Sequence, residues 1–294
     1  MRNAFIKGLI EQAEQRDNIA LVVGDLGYGV VEPFAKKFHK RFFNAGVAEQ
    51  NMMGLCAGLA SEGFHVFAYS IANFPTFRCA EQIRNDVDYH KLAVTIVAVG
   101  GGLSYGNLGY SHHAIQDYGL MRMMPNMQIA APGDPMEVIA CLRYLIDNPQ
   151  PSYLRLGKAG EPSFHQTVPT VEPGRWLKIR DGHVANINTL LSTGATLELA
   201  NQWSLLPAFK NHAIHTLPLW GMGSKKVQVE QVERWSNIIT LEDHIFDCGF
   251  GSWLRESLES VPHLNSRIEN KALDSKVCGA VGNQKILNYF GGIS

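Results

Sequence analysis

Short runs of apolar, mostly β-branched residues alternate with amphipathic stretches through the first half of the chain. The runs that predict strands are Ile19–Val23, His65–Tyr69, Ala93–Val99, Gln128–Ala131 and Ser152–Leu156. The stretches with helical spacing between them are Ala48–Ala60, Thr76–Val87 and Pro135–Ile146. Asp134 before Pro135 is typical of a helix start. Nearly continuous apolar strands separated by helices predict a parallel sheet that is covered on both faces.

A second series of apolar runs follows beyond a break that is rich in glycine, proline and polar residues. The break covers residues 158–174, and the later runs predict strands at Ile187–Ser192, His212–Leu217 and Asn237–Leu241. We therefore predict an α/β protein of two doubly wound domains with mostly parallel sheets. Residues 1–160 form the first domain, residues 161–174 the linker, and residues 175–294 the second domain.

Composition narrows the classes of function. The chain has 294 residues, of which 46% are hydrophobic and 18% charged, and its net charge of −1 gives no sign of a nucleic-acid partner. The five cysteines are far apart and show no CxxC spacing, so neither a disulfide framework nor a zinc site is indicated. No segment approaches the roughly 20 apolar residues that span a membrane, and no signal-peptide pattern is present. A cytoplasmic enzyme is the expectation.

Three loops that follow predicted strands are candidate ligand contacts, because open parallel sheets bind ligands at the carboxyl ends of their strands. They comprise residues 24–27, 70–77 and 100–117. The third loop is long and glycine-rich, and it contains His112 and His113. These features favour a functional or mobile loop.

Glu49 is the first candidate catalytic residue. It enters a predicted helix at a glycine-bounded turn, within the run Phe43–Met52. A carboxylate in the first turn of a helix is also what the helix dipole favours, so the residue alone leaves both interpretations open. The wider sequence favours the catalytic one.

The run Phe43–Met52 resembles the G-[IV]-[AR]-E-x-x-M signature of the transketolase pyrimidine-binding domain. The resemblance continues in order along nearly the whole chain, at residues 24–26, 67–70, 74, 81–84, 111–112, 125–127, 132–134, 151–156, 192–196, 241–244 and 249–252. The later segments resemble the transketolase C-terminal domain. The common order and spacing make the chain similar to part of a transketolase-like, thiamine-diphosphate-dependent enzyme.

This resemblance implies roles for several side chains. Glu49 would hydrogen-bond N1′ of the cofactor's aminopyrimidine, which favours the imino form that takes the C2 proton of the thiazolium. Phe74 would pack on the pyrimidine ring, and His112 would face the substrate and handle protons, as suits a group that titrates near neutral pH. The remaining predicted cofactor contacts are Asp25, Leu26 and Phe77.

One departure from the family concerns the diphosphate-binding domain. Thiamine-diphosphate enzymes hold Mg²⁺ and diphosphate with a GDG motif and a downstream pair of asparagines, and no GDG triplet occurs here. The resemblance therefore implies the small subunit of a split enzyme, expected as an α₂β₂ assembly. The large subunit would bind Mg²⁺ and the diphosphate, and no metal ligand is expected on this chain.

A second departure concerns the positions that contact the sugar. Glycine stands at position 100, where the family usually has histidine, and Asn107-Leu108 replaces an acidic pair. Lys158 aligns with an arginine that meets the substrate phosphate; it keeps the charge and loses the bidentate fork. The predicted substrate contacts are Asn107, His112 and Lys158. We expect a two-carbon ketol transfer that involves an unusual sugar, such as a deoxy or nucleotide-linked one.

Other interpretations stay open. The β-subunit of a 2-oxoacid dehydrogenase, or an acyloin-forming enzyme similar to 1-deoxyxylulose-phosphate synthase, would share the fold and the glutamate. A non-catalytic assembly subunit would share the fold alone, and the presence of Glu49 and Phe74 argues against it. A stand-alone domain for thiamine or a nucleotide would bind its ligand without a partner.

Overall fold

The computed structural model describes residues 1–183 and 187–293, and two β-sheets organise them. The strands are β1 Ile19–Val23, β2 Phe42–Asn44, β3 His65–Ile71, β4 Val94–Val99, β5 Gln128–Ala130, β6 Ser152–Leu156, β7 Leu177–Arg180, β8 Asn188–Ser192, β9 Ala213–Thr216, β10 Leu219–Gly221, β11 Asn237–Ile245 and β12 Arg267–Leu273. The α-helices are α1 Arg2–Ala13, α2 Glu32–Lys37, α3 Glu49–Ser61, α4 Phe74–Phe77, α5 Ala80–Gln82, α6 Asp117–Arg122, α7 Pro135–Asp147, α8 Thr196–Trp203, α9 Gln228–Val232, α10 Phe250–Glu256 and α11 Gln284–Phe290.

The first sheet has seven strands in the order β10-β5-β6-β4-β3-β1-β2. Its six strands from β5 to β2 run parallel, and only β10 is antiparallel, on β5. The second sheet has the order β12-β11-β8-β9-β7, and β7 is its one antiparallel strand. The predicted α/β class with mostly parallel sheets is confirmed. The domain limits stay a prediction, and β10 joins the first sheet from well beyond residue 160.

Several predicted elements differ from the observed ones. The stretch Thr76–Val87, predicted to be helix-like, is helical with an interruption, because the chain forms α4, α5 and then a π-helical turn at Ile83–Asp88. Pro75 lies in the first turn of α4, and the backbone leaves helical geometry at Cys79 (φ −113°, ψ 12°), which interrupts the helix. The strands β2, β7, β10 and β12 were not predicted. The predicted start of α7 is confirmed, since the Asp134 side chain accepts a hydrogen bond from the N–H of Glu137.

The core lies on both faces of the first sheet. Phe5 and Leu9 of α1 and Leu142 of α7 belong to the hydrophobic cluster on one face. Met52 of α3 belongs to the cluster on the other face, and this cluster continues into Trp253 of α10. Burial of one side of α3 fixes the start of that helix, and hence Glu49, at the carboxyl edge of the sheet. No helix of the described ranges is long and apolar enough to cross a membrane.

Candidate active site

Three predicted site residues lie on segments that leave the first sheet at the same edge. Glu49 opens α3, and Phe74 opens α4 directly after β3. His112 ends a 3₁₀ turn, Tyr110–His112, in the long loop after β4. Glu49 follows β2, Phe74 follows β3, and the loop of His112 follows β4. Since β2, β1, β3 and β4 are successive parallel strands of the sheet, their carboxyl ends lie at one edge and bring these segments together.

Arg78 joins Glu49 to Phe74. Its Nη1 donates to both carboxylate oxygens of Glu49, at 3.1 Å each, and its Cζ lies 4.4 Å from the centroid of the Phe74 ring. The Glu49 side chain is 5% exposed, whereas that of Arg78 is 52% exposed. The sequence analysis missed Arg78. The available signal was its spacing of four residues from Phe74, which places two side chains on one face of a helix.

His112 also contacts Phe74. The two rings meet edge to face, with centroids 5.1 Å apart. Ser111 Oγ lies 3.0 Å from Nδ1 of His112, and Asn73 Nδ2 donates to the carbonyl of Ser111 at 2.9 Å, which ties the loop to the start of α4. Burial lowers the pKa of His112, and the nearby charge of Arg78 lowers it further. The imidazole is therefore neutral at pH 7 and able to accept a proton.

Asp25 and Leu26 lie in the loop after β1. Asp25 is exposed, and its φ of +54° is in the left-handed region. The Asp25 N–H donates to the side chain of Asn44, and the Asn44 amide donates to the Asp25 carboxylate. The bond from Asn44 to the carboxylate, with one from the Tyr28 hydroxyl, lowers the pKa of Asp25. Asn44 Oδ1 also accepts from the N–H of Gly46, so Asp25 is tied to the turn that precedes Glu49. Leu26 packs at the margin of the core cluster that contains α1.

The other predicted residues stand apart from this group. Phe77 is half exposed one turn after Phe74, and Asn107 is exposed in a 3₁₀ turn, Gly106–Leu108. Lys158 is exposed after β6. Within residues 1–183 and 187–293, no hydrogen bond, ion pair or ring contact joins Phe77, Asn107 or Lys158 to Glu49, Phe74 or His112.

Tyr105 fills the space beside Gly100. A Cβ at position 100 would overlap Cε2 and Cδ2 of the Tyr105 ring, and Gly100 adopts a φ of +79°. The Nζ of Lys158 lies 5.1 Å from the centroid of the same ring. One aromatic side chain thus adjoins two positions at which this sequence departs from the transketolase-like pattern that it otherwise resembles. The sequence analysis did not identify it.

A buried ion cluster supports the glycine-rich loop. Arg155 of β6 donates to Asp117 at 2.6 Å, to Asp243 of β11 at 2.5 Å and to the carbonyl of Ala114 at 2.7 Å. Burial acts to lower the pKa of Arg155, but the two carboxylates outweigh it and raise that pKa well above its ordinary value. The cluster therefore holds a permanent charge between the first sheet, the loop that carries His112, and the second sheet.

The group around Glu49 suits a planar ring that carries nitrogen. The guanidinium of Arg78 is itself planar and bears N–H donors, and it contacts the face of Phe74 and both oxygens of Glu49 at once. The aminopyrimidine that the sequence resemblance implies would use the same aromatic face and the same carboxylate, so the residues present fit it. The described part of the chain contains no group of three or more His, Cys, Asp or Glu side chains that could hold a metal ion.

Comparison with known proteins decides the family. Residues 1–160 match the family model described as the transketolase pyrimidine-binding domain. The chain belongs to the transketolase family. The resemblance deduced from the sequence motifs is confirmed.

Relatives within the transketolase family cover both halves of the chain. The chain is 32% identical over 267 residues to a protein of Phocaeicola vulgatus named as one of the subunits of apulose-4-phosphate transketolase, a match that covers 89% of this chain and 84% of that protein. It is 30% identical to 1-deoxy-D-xylulose-5-phosphate synthase of Pelotomaculum thermopropionicum over 87% of this chain and 40% of that protein. A solved structure described as a split gene transketolase, inactive beta4 tetramer, has a TM-score of 0.84 and 29% identity, and covers 100% of this chain and 93% of its own.

Proposed function

We propose that this chain is the small subunit of a two-chain, thiamine-diphosphate-dependent enzyme of transketolase type that transfers a two-carbon ketol unit between sugars. The observation that carries the proposal is the grouping of Glu49, Phe74 and His112 at one edge of the first sheet. The similarity to a protein named as one subunit of a sugar-phosphate transketolase supports it.

Dependence on a partner chain is part of the proposal. The sequence lacks the GDG motif, so the large subunit would supply the Mg²⁺ and diphosphate site in an α₂β₂ assembly. The similar split-gene structure is described as an inactive tetramer of β chains, which agrees with a small subunit that does not work alone. The exposed apolar side chains Val47, Leu55 and Phe77 lie on the segments that carry Glu49 and Phe74, and such surface suits coverage by another chain.

The side chains have distinct tasks in this scheme. When bound, thiamine diphosphate supplies the electron sink that lets a carbon–carbon bond beside a carbonyl break. Glu49 holds the proton at the N1′ side of the pyrimidine, and Phe74 orients the ring through its face. His112, neutral at pH 7, takes a proton from a substrate hydroxyl and returns it.

An unusual sugar substrate follows from the altered contacts. The ring of Tyr105 excludes a side chain at position 100, and exposed Leu108 stands where the family has a carboxylate. Lys158 keeps a positive charge that can meet a phosphate as a point charge. The relative from Phocaeicola vulgatus is named for apulose 4-phosphate, which supports a phosphorylated sugar outside the common set.

The substitution Glu49→Gln in the reconstituted two-chain enzyme tests the proposal. We expect kcat for ketol transfer to fall by about 10²–10⁴-fold, because proton exchange at the pyrimidine is lost. The matched control is Glu62→Gln at the exposed end of the same helix, α3, which should leave kcat unchanged. Full turnover in the Glu49 variant would contradict the catalytic role and favour an assembly subunit.

A second candidate is an acyloin-forming enzyme, which the similarity to 1-deoxy-D-xylulose-5-phosphate synthase favours. The donor substrate that the enzyme accepts distinguishes this candidate from ketol transfer. A ketose donor and no release of CO₂ from pyruvate supports ketol transfer, and CO₂ release from pyruvate supports the second candidate. Calorimetry on the isolated chain tests the remaining alternative, since a stand-alone binding domain would bind thiamine diphosphate without the large subunit.

A further inference from the structure

The guanidinium of Arg78 stands where the proposed function puts the aminopyrimidine ring. We propose that Arg78 is an internal placeholder, which occupies the contacts of the ring in the free subunit and must leave when the cofactor binds. The inference rests on the proposed function, from which it takes the identity of the ring.

The geometry shows one planar group that uses both ring contacts at once. Nη1 of Arg78 is 3.1 Å from each oxygen of Glu49, and Cζ is 4.4 Å from the centroid of Phe74. A cation on an aromatic face and a charge-assisted hydrogen bond to a carboxylate are both favourable contacts. A second planar group cannot take the same face of Phe74 and the same edge of Glu49 while the guanidinium remains there.

The carboxylate of Glu49 differs from the other buried glutamates in its partners. Glu137 accepts from the N–H of Gly133, and Glu242 accepts from the N–H groups of Phe250 and Gly251. In the described residues, both hydrogen bonds to the side-chain carboxylate of Glu49 come from Arg78. Glu49 therefore has no fixed backbone partner, and its one partner is a side chain that can move.

The exposure of Arg78 makes an exchange physically possible. About half of the side chain already lies in solvent (52% exposed), so the guanidinium can rotate away without becoming buried elsewhere. Glu49 is buried, and loss of Arg78 alone would leave its carboxylate without a partner. Departure of Arg78 is therefore favourable only when another hydrogen-bond partner arrives, which couples it to binding of the ring.

A placeholder lowers the apparent affinity for the cofactor. Only molecules with Arg78 turned out can bind, so the apparent Kd equals the intrinsic Kd divided by the fraction in that state. If about one molecule in ten is open, removal of Arg78 tightens binding about tenfold. A residue that instead helped to hold the cofactor would weaken binding on removal.

Calorimetry with thiamine diphosphate and the reconstituted two-chain enzyme tests this. We expect Arg78→Met, which keeps the aliphatic stem, to lower Kd about tenfold. The control is Arg84→Met, an exposed arginine of the following π-helical turn whose side chain bonds Asn85, and it should bind as the wild type does. Unchanged or weaker binding by the Arg78 variant, with its melting temperature retained, overturns the inference.

A second measurement uses the guanidinium ion as the probe. Millimolar guanidinium chloride should compete with thiamine diphosphate in the Arg78→Met enzyme and have much less effect on the wild type, whose own guanidinium already fills the place. Equal effects on both proteins would count against the placeholder. Failure of the proposed function has a different result, since the wild-type pair would then bind no thiamine diphosphate at all.

Discussion

Two arginines of this chain pair with carboxylates, one at the edge of the first sheet and one between the two sheets. Arg78 is half exposed and pairs with the single carboxylate of Glu49. Arg155 is buried and pairs with two buried carboxylates, Asp117 and Asp243, and with the carbonyl of Ala114. The two pairs use the same chemistry in opposite surroundings.

The two pairs differ in whether a ligand could take the place of the arginine beside its carboxylate partners. Every partner of Arg155 is inside the protein, and the Tyr118 ring covers its guanidinium at 4.3 Å, so no ligand can replace it. Under the placeholder proposal, Arg78 gives way to a planar donor that reaches Glu49 and Phe74. Exposure of Arg78 thus leaves room for a ligand to take its place beside Glu49, whereas burial of Arg155 and both its partners does not.

Arg155→Met should have the largest effect. Removal of the cation leaves Asp117 and Asp243 as unpaired buried charges, so the free energy of unfolding should fall by about 3–5 kcal/mol. Urea denaturation measures this change. Arg78→Met serves as the comparison and should cost less, because it leaves one buried carboxylate, that of Glu49, without its cation, whereas Arg155→Met leaves two. Equal losses of unfolding free energy from the two substitutions would contradict the distinction between a structural ion pair at Arg155 and a replaceable one at Arg78.

The central part of the fold could be predicted because its residues are continuously apolar. Strands β1 and β6 have the predicted bounds, and every residue in them is buried. The edge strands β7 and β12 were missed because most of their side chains are only partly buried, so their sequences mix apolar and charged residues. The interruption at Cys79 was missed because periodicity does not report a local change of backbone angles.

The residues of the candidate site also fall into a predicted set and a missed set. Glu49, Phe74 and His112 were identified through a family signature that runs along the sequence. Arg78 and Tyr105 were not, because their importance depends on which side chains the turns bring within contact distance. Site residues that belong to a sequence motif could therefore be predicted. Site residues whose contacts depend on the geometry of loops and turns could not.

Asp134 is a further buried carboxylate. The substitution Asp134→Asn should lower the free energy of unfolding by less than Arg155→Met does. Burial acts to raise the pKa of Asp134, but hydrogen bonds from the His165 ring and from the N–H groups of Glu137, His165 and Phe164 outweigh it and lower the pKa to about 2. This carboxylate thereby fastens residues 164–165 to the start of α7. The substitution should lower the free energy of unfolding by about 1–3 kcal/mol at pH 7.

The pH dependence gives this prediction its sign. Because the folded pKa lies below the ordinary value, the stabilisation by Asp134 is present above about pH 4 and is lost as the pH falls through about 2. The difference between the wild type and Asp134→Asn should therefore shrink from pH 4 to pH 2. The control is Asp147→Asn at the exposed end of the same helix, α7. A difference that stays constant over this range would argue against an ionised Asp134.

The smallest expected effect is on the titration of His112. Burial lowers the pKa of this imidazole first and the charge of Arg78 lowers it further, so Arg78→Met should shift the pKa upward towards its ordinary value. The shift is limited because solvent at the half-exposed guanidinium screens its charge. NMR titration of His112 measures it, with Arg84→Met as the control. A pKa that stays in place would put the charge of Arg78 out of reach of the ring. An upward shift would show that the edge arginine acts on the candidate proton carrier through a field that departs with its side chain, whereas the field of Arg155 is fixed by two buried carboxylates.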